Sequence, residues 1–251
     1  MEVKFEQLSF QYSPKKQTLK NIDLALPSGK FIAILGPNGS GKTTLMKQIN
    51  RILHPQKGRI TLNGTDVSSL TSGELARTVA YVPQMTGGMM AGSVMDTVML
   101  GRKPYIKWKP SEKDIEIVCQ CLLRFHLEEI AQRDYNALSG GQKQTVLIAR
   151  ALAQTPGIYL FDEPVSFLDV KNQLEIMTAA RELVDYDGKT VVMVLHDLNL
   201  ALRFADHIVV MKEGEVFAQG IPSEVITEEN VFAVYGTHAE ICNGEYVITK
   251  L

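Results

Sequence analysis

Gly36-Pro37-Asn38-Gly39-Ser40-Gly41-Lys42-Thr43-Thr44 fits G-x-x-x-x-G-K-[ST] at every fixed position. Phe31-Ile32-Ala33-Ile34-Leu35 before it reads as a buried strand, and Leu45, Ile49 and Ile52 after it as a helical apolar stripe, which is the setting the motif needs. Several backbone N–H groups of such a loop must turn inward toward phosphate oxygens, and glycines let the chain curl that tightly. The helix that follows adds the positive end of its dipole. Lys42 is placed to reach β- and γ-phosphates as a point charge, and the Thr43 hydroxyl to help hold Mg²⁺ between them. A chance glycine-rich turn does not explain strand, loop and helix agreeing, so the stretch reads as a nucleotide site.

Other stretches gain meaning from this one. Ile158-Tyr159-Leu160-Phe161-Asp162-Glu163 is an apolar strand ending in two carboxylates. Asp162 can bind Mg²⁺ directly or through water, and Glu163 can polarise a water for in-line attack on the γ-phosphate. Adjacent acids after a strand are often only a helix cap, but the loop elsewhere in the chain favours catalysis. Leu138-Ser139-Gly140-Gly141-Gln142 opens a helix carrying Val146, Ile148 and Leu152 and stopped at Thr155-Pro156, and its start is a second place for an anion. Two phosphate-binding helix starts on one chain suggest one nucleotide gripped by two copies of it.

Three single residues are ambiguous on spacing alone. Tyr12 reads equally as an adenine-stacking face and as a core or half-exposed tyrosine. Gln84, after the short strand Ala80-Tyr81-Val82-Pro83, can orient water or complete a Mg²⁺ shell, although a glutamine there is usually a solvated loop residue. His196 ends the buried strand Thr190 to Leu195. A lone histidine is more often structural, but ligands gather at the carboxyl ends of parallel strands.

Composition bounds the class. The 251 residues are 45% hydrophobic, enough for a substantial core, and Lys+Arg 26 against Asp+Glu 28 gives no basic footprint for nucleic acid. No apolar run approaches the ~18 residues of a membrane span, and Met1 to Phe10 lacks the pattern of a signal peptide, so a cytosolic chain is expected. Cys119, Cys121 and Cys242 are too few and ill-spaced for a clip and read as buried inert thiols.

Along the chain, Val3 and Phe5, then Ile22, Leu24 and Leu26, alternate as antiparallel strands, with turns at Pro14 and Ser28-Gly29. The helix after the glycine-rich loop is expected to end near His54-Pro55, and Arg59 to Leu62 with Asn63-Gly64 to form a strand and hairpin turn. From Met85 the character turns helical: Ser93 with Asp96 caps Val94, Met95, Val98 and Met99, and Ser111 opens a stretch with Ile115, Val118 and Leu122. Met85, Met89, Met90, Met95 and Met99 cluster there, as small-core filling before an adaptable docking surface, and Gly87-Gly88 implies a mobile loop. His207 to Ala218 reads as a hairpin turning at Glu213-Gly214, Thr227 to Tyr235 as a capped helix, and Ile241 to Ile248 as a last hairpin about Asn243-Gly244. The expected fold is α/β, a nucleotide-binding core with an antiparallel β subdomain over 1–84 and 156–251, interrupted by a helical subdomain over 85–155.

With these motifs present in order, the sequence resembles the ATP-binding subunits of ABC transporters over nearly its whole length. The resemblance implies a RecA-like P-loop NTPase core, with ATP and Mg²⁺ as its ligands. It implies Tyr12 as the adenine-stacking aromatic, and Gly36, Pro37, Asn38, Gly39, Ser40, Gly41, Lys42, Thr43 and Thr44 as Walker A. It further implies Gln84 as the Q-loop, Leu138 with Ser139, Gly140, Gly141 and Gln142 as the signature motif, and Asp162 as the Walker B acid. Glu163 is then the general base, Ser166 to Asp169 the D-loop and His196 the switch histidine, with Lys42, Gln84, Glu163 and His196 forming the catalytic set and Thr43, Gln84 and Asp162 the metal set. Val165 and Phe167 depart from the commonest family wording, at positions that hold neither phosphate nor metal.

Leu100 to Tyr105, Ala149 to Gln154 and Leu195 to Ala201 look most like importers of iron–siderophore, haem or cobalamin complexes. The implied partners are a second copy closing head to tail, transmembrane permease subunits at the cytoplasmic face of the inner membrane and, indirectly, an extracytoplasmic substrate-binding protein, with no nucleic acid. A soluble ABC-type clamp without a permease, and an exporter subunit, are the rival readings.

Overall fold

The computed structural model describes residues 1–13, 16–84, 90–166, 168–242 and 245–248. The expectations placed on Pro14, on Met85, Met89 and Gly87-Gly88, on Phe167 and on Asn243-Gly244 lie outside the described residues. The chain divides into two compact units, one of Met1–Leu70 with Met177–Leu251 and one of Thr71–Ile176.

The first unit opens with β1 (Val3–Ser13), β2 (Lys16–Leu26), β3 (Phe31–Leu35), α1 (Lys42–Ile49), β4 (Lys57–Leu62) and β5 (Thr65–Asp66). The second holds α2 (Ser72–Thr78), β6 (Val79–Val82), α3 (Val94–Met99), α4 (Glu112–Arg124), α5 (Gly140–Ala153) and β7 (Ile158–Asp162). α6 (Val170–Asp185) begins in the second unit and, from Met177, belongs to the first, which continues with β8 (Thr190–Val194), α7 (Leu198–Phe204), β9 (His207–Lys212) and β10 (Glu215–Gly220). It ends with α8 (Pro222–Val225), α9 (Glu228–Tyr235), β11 (Ala239–Cys242) and β12 (Glu245–Ile248).

The alternation in the N-terminal strands has its expected consequence. Val3, Phe5, Leu8 and Phe10 are buried on β1 and pair antiparallel with Leu26, Leu24, Ile22 and Leu19 of β2, in a sheet ordered β2-β1-β4-β5. β3 is buried at every residue because it lies between two parallel neighbours, β8 (Phe31 opposite Val191) and β9 (Ile32 opposite His207). The β9–β10 hairpin turns at Glu213-Gly214, both at positive φ (50° and 85°), as a tight two-residue connection requires.

α1 is shorter than the apolar stripe suggested. It ends at Ile49, the chain leaves through Asn50 and a left-handed Arg51 (φ 56°), and Ile52 is 55% exposed rather than the third member of a buried stripe. The Arg51 guanidinium anchors this exit by donating to the carbonyls of Val67 and Leu70.

In the second unit β6 and β7 are parallel, Val79 opposite Ile158 and Val82 opposite Phe161. α2, α3, α4 and α5 each start with a reciprocal capping box: Thr71 with Glu74, Ser93 with Asp96, Ser111 with Asp114 and Ser139 with Gln142. α3, α4 and α5 pack on one another through Val94, Val98, Val118, Leu122, Val146 and Ile148, while Ile115, one turn before Val118, faces solvent at 42% exposure. The backbone at Gly101 runs so close to α5 that an added Cβ would lie 2.2 Å from the Arg150 carbonyl oxygen. Two residues apart on α4, the thiols diverge: Cys121 is buried, its pKa pushed up to about 11 by desolvation, whereas Cys119 is exposed and not the buried thiol expected.

Candidate nucleotide-binding site

In the first unit the loop between β3 and α1 is built as the sequence demands. Gly36 (φ 139°) and Gly41 (φ 105°) occupy backbone that side chains rarely adopt, and a Cβ at Gly36 would sit 2.1 Å from the Met211 carbonyl oxygen. The Lys42 side chain folds back into this loop, its ammonium donating to the carbonyls of Gly36 (2.8 Å) and Pro37 (3.0 Å) while only 5% exposed. Ser40 Oγ is buried with no hydrogen-bond partner among the described residues, a polar atom on the loop that a phosphate oxygen would satisfy. A buried cation, a buried hydroxyl and a backbone held at positive φ by its glycines make a cradle that fits a nucleotide's phosphates.

Tyr12 stands beside this loop. Its hydroxyl lies 3.3 Å from Thr44 Oγ1 and its ring meets the edge of Phe10, yet the residue is 62% exposed, so an aromatic surface remains open to a flat ligand. His196 lies two residues past the buried end of β8 and is itself exposed, and Asp197 caps α7 by accepting from Asn199 and Leu200.

The second unit gathers the acidic residues. Asp162 is fully buried at the end of β7 and accepts from the Tyr81 hydroxyl (3.0 Å), a partner in the neighbouring strand that no local sequence pattern signals. Glu163 follows with φ 52°, a left-handed conformation uncommon for this residue type. Its carboxylate accepts from the Gln84 amide (2.8 Å) and from the Ser166 hydroxyl (3.4 Å). Gln84 and Glu163 are thus brought together, which neither residue's setting foretold.

The Ser139 start of α5 is also in this unit. Ser139 Oγ accepts from the Gln142 N–H and Gln142 Oε1 from the Ser139 N–H, leaving Gly140 and Gly141 without side chains over the helix start. Ser139, Gly141 and Gln142 share a cavity of about 390 Å³ with Leu168, Asp169 and Asn172. Asp169 in turn caps α6 by accepting from the Asn172 N–H.

Among the described residues no group of three or more His, Cys, Asp or Glu side chains could hold a metal ion. The expected Mg²⁺ set draws instead on a hydroxyl (Thr43), an amide oxygen (Gln84) and one carboxylate (Asp162), all hard oxygen donors of the kind Mg²⁺ prefers beside phosphate.

The ABC transporter family model matches residues 19–166, more than half of the chain. The chain belongs to the ABC transporter family. It is an ATP-binding, ATP-hydrolysing cassette with the P-loop NTPase fold of that family. It is 46% identical over 236 residues to the uncharacterized ABC transporter ATP-binding protein MJ0089 of Methanocaldococcus jannaschii, covering 94% of this chain and 92% of that one. It is 40% identical over 225 residues to the petrobactin import ATP-binding protein FpuD of Bacillus anthracis, covering 89% and 82%. Two solved structures superimpose closely. One is a metal-chelate type ABC transporter in an inward-facing conformation, with TM-score 0.82, 28% identity, and 99% and 97% covered. The other is the dimeric ATP-binding cassette MJ0796 in a post-hydrolysis state bound to ADP and Pi, with TM-score 0.79, 33% identity, and 88% and 98% covered. No helix among the described residues of this cassette is long and apolar enough to cross a membrane.

Proposed function

We propose that this cassette powers an importer of metal–chelate complexes of the iron–siderophore, haem or cobalamin class. It would work as a head-to-tail pair of copies bound to transmembrane permease subunits at the cytoplasmic face of the inner membrane, with an extracytoplasmic binding protein delivering the cargo. The names of FpuD and of the metal-chelate type neighbour support the cargo class, and the dimeric cassette supports the pairing.

The observation that carries the reading is the 2.8 Å hydrogen bond from the Gln84 amide to the Glu163 carboxylate. It ties the group in place to accept a water proton to the segment that leads into residues 85–89, so a partner pulling on that segment would move the base. In the proposed reaction Glu163 takes the proton of a water attacking the γ-phosphorus in line, and the γ-phosphoryl group leaves ADP with the P–O bond electrons. Lys42 holds the β- and γ-phosphate oxygens, the loop N–H groups from Gly36 to Thr44 surround them, and Tyr12 stacks on adenine. Mg²⁺, when bound, would neutralise phosphate charge, held by Thr43, Gln84 and Asp162. Ser139, Gly140, Gly141 and Gln142 of the second copy donate to the γ-phosphate from the opposite side, with His196 a further donor on the first. Losing that phosphate removes the anion both copies grip, and the pair reopens. In this reading residues 85–155 are the inserted helical subdomain that faces the permease.

The test is to tag the Glu163→Gln chain, trap it with ATP in native membranes and identify what co-purifies in mild detergent. Recovery of a multi-span permease supports transport. Recovery of soluble partners or nucleic acid alone overturns it in favour of a clamp-type ATPase.

A further inference from the structure

The chain's single tryptophan, Trp108, is 97% exposed. It stands at the tip of Lys103-Pro104-Tyr105-Ile106-Lys107-Trp108-Lys109-Pro110, a stretch with three lysines and no acid in a protein of net charge −2. Lys103, Lys107 and Lys109 are exposed, and among the described residues none of them makes a salt bridge.

The exposure does not come from a loose tether. At one side Arg102, buried, pairs with Asp114 (2.9 Å), donates to the Ala153 carbonyl (2.8 Å) and lies over the Tyr105 ring at 4.1 Å. The Tyr105 hydroxyl donates to the Gln154 carbonyl (3.1 Å), and Arg77 donates twice to the Pro104 carbonyl (3.0 and 2.8 Å). At the other side Ser111 caps α4 in its reciprocal box with Asp114. Both feet are thus fixed on the helical unit, and the short span between them carries an indole outward with nothing packed against it. A tryptophan buries about 150–250 Å² when it finds a partner, so holding one in water is a standing cost. Arg77, exposed at the base of the loop, adds a further cation, with Glu74 one turn before it; Glu112 and Lys113 follow the loop and offset one another.

An amphipathic ring flanked on both sides by ammonium groups matches the interface of an anionic bilayer. The indole sits at headgroup level, the lysine stems lie along the apolar boundary, and their charges meet phosphate. We propose that Lys103–Pro110 is a membrane-surface contact of this cassette, Trp108 entering the headgroup region of anionic phospholipid and Lys103, Lys107 and Lys109 pairing with lipid phosphates. No residue of the patch is among those assigned to the nucleotide, so this contact can fail while the transport reading holds, and the reverse.

The single tryptophan makes the test direct. The full chain is titrated with vesicles of phosphatidylglycerol mixed with phosphatidylcholine, and with vesicles of phosphatidylcholine alone, while Trp108 emission and co-sedimentation are followed. The expected result is a blue shift with the anionic vesicles, quenching by lipids brominated on the acyl chain near the headgroup, and loss of both near 1 M salt, where the screening length falls to about 3 Å. Lys107→Gln with Lys109→Gln keeps the reporter and should weaken partitioning about 20-fold or more, at about fivefold per lysine. Trp108→Ala should weaken co-sedimentation while its lysines remain. An unshifted emission with anionic vesicles overturns the proposal, as does equal binding to both vesicle types. A blue shift obtained only with lipid-free, detergent-held permease overturns it too, by assigning Trp108 to a protein contact.

Discussion

Gln84 donates its amide proton to the Glu163 carboxylate across 2.8 Å, from two residues past one strand of a parallel pair to the residue after the other. The amide oxygen of Gln84 is left as that side chain's acceptor, so one residue can steady the base with its nitrogen and face a cation with its oxygen. Gln84→Ala should therefore lower the turnover rate about tenfold, the value of a hydrogen bond to a charged group, with little change in KM for ATP. Steady-state ATPase assays read both parameters, and an equal change in KM alone would place Gln84 in substrate binding instead.

Glu163→Gln should bind ATP and form a stable pair of copies while hydrolysing about 10²- to 10⁴-fold more slowly, because the water loses its base and the phosphate ligands stay. Size-exclusion chromatography with ATP and single-turnover phosphate release give the two measurements. Wild-type turnover in this variant would remove Glu163 from the role.

Lys42→Ala should act on the other half of the chemistry. Its ammonium now holds the carbonyls of Gly36 and Pro37 and would exchange them for phosphate oxygens, so ATP affinity should fall about 10- to 100-fold by equilibrium binding. Unchanged affinity would count against the cradle.

Much of this site could be read before the fold was known, because its parts are local. The glycine-rich loop, the capping serines at 93, 111 and 139 and the acid pair at 162 and 163 are each decided by a few neighbouring residues. What could not be read depends on contacts far apart in sequence. The Tyr81 hydroxyl reaches Asp162 across 81 positions, and no periodicity reports that. Ile52 and Ile115 were misplaced for the converse reason: apolar spacing shows which residues share a face, but not where a helix stops or whether that face is covered. Tyr12, evenly balanced on spacing, proves exposed, a property set by what packs around it.

The Tyr81 contact makes its own prediction. Tyr81→Phe removes one donor from a fully buried carboxylate without changing the ring, and should cost about 1–3 kcal/mol of stability by urea unfolding. The Mg²⁺ concentration for half-maximal ATPase should rise with it, since Asp162 loses one of the contacts that orient it.

Acid should loosen the helical unit at a defined point. Hydrogen bonds from Ser111, then Arg102, hold the Asp114 carboxyl down to about 2, below its ordinary value of 3.8. The folded form binds that proton less readily than the unfolded chain, so the pair's stabilisation is complete above about pH 4 and is lost as the pH falls through about 2. Thermal melts of the wild type and Asp114→Asn should differ most above pH 4 and converge toward pH 2.

The reciprocal cap at Ser139 and Gln142 has a consequence for how fast the machine can respond. In the proposed head-to-tail pair this helix start greets a phosphate held by the other copy, and it could have been left ragged until that phosphate arrived. Here its first turn is already closed by its own side chains. The receptor surface is therefore set in the resting subunit, and little ordering entropy remains to be spent at the encounter. If the proposed pairing holds, nucleotide on the opposite copy meets a finished template, and the pace of pairing should be governed by how often two loaded copies collide in the right orientation, not by how long one of them takes to fold its half of the grip.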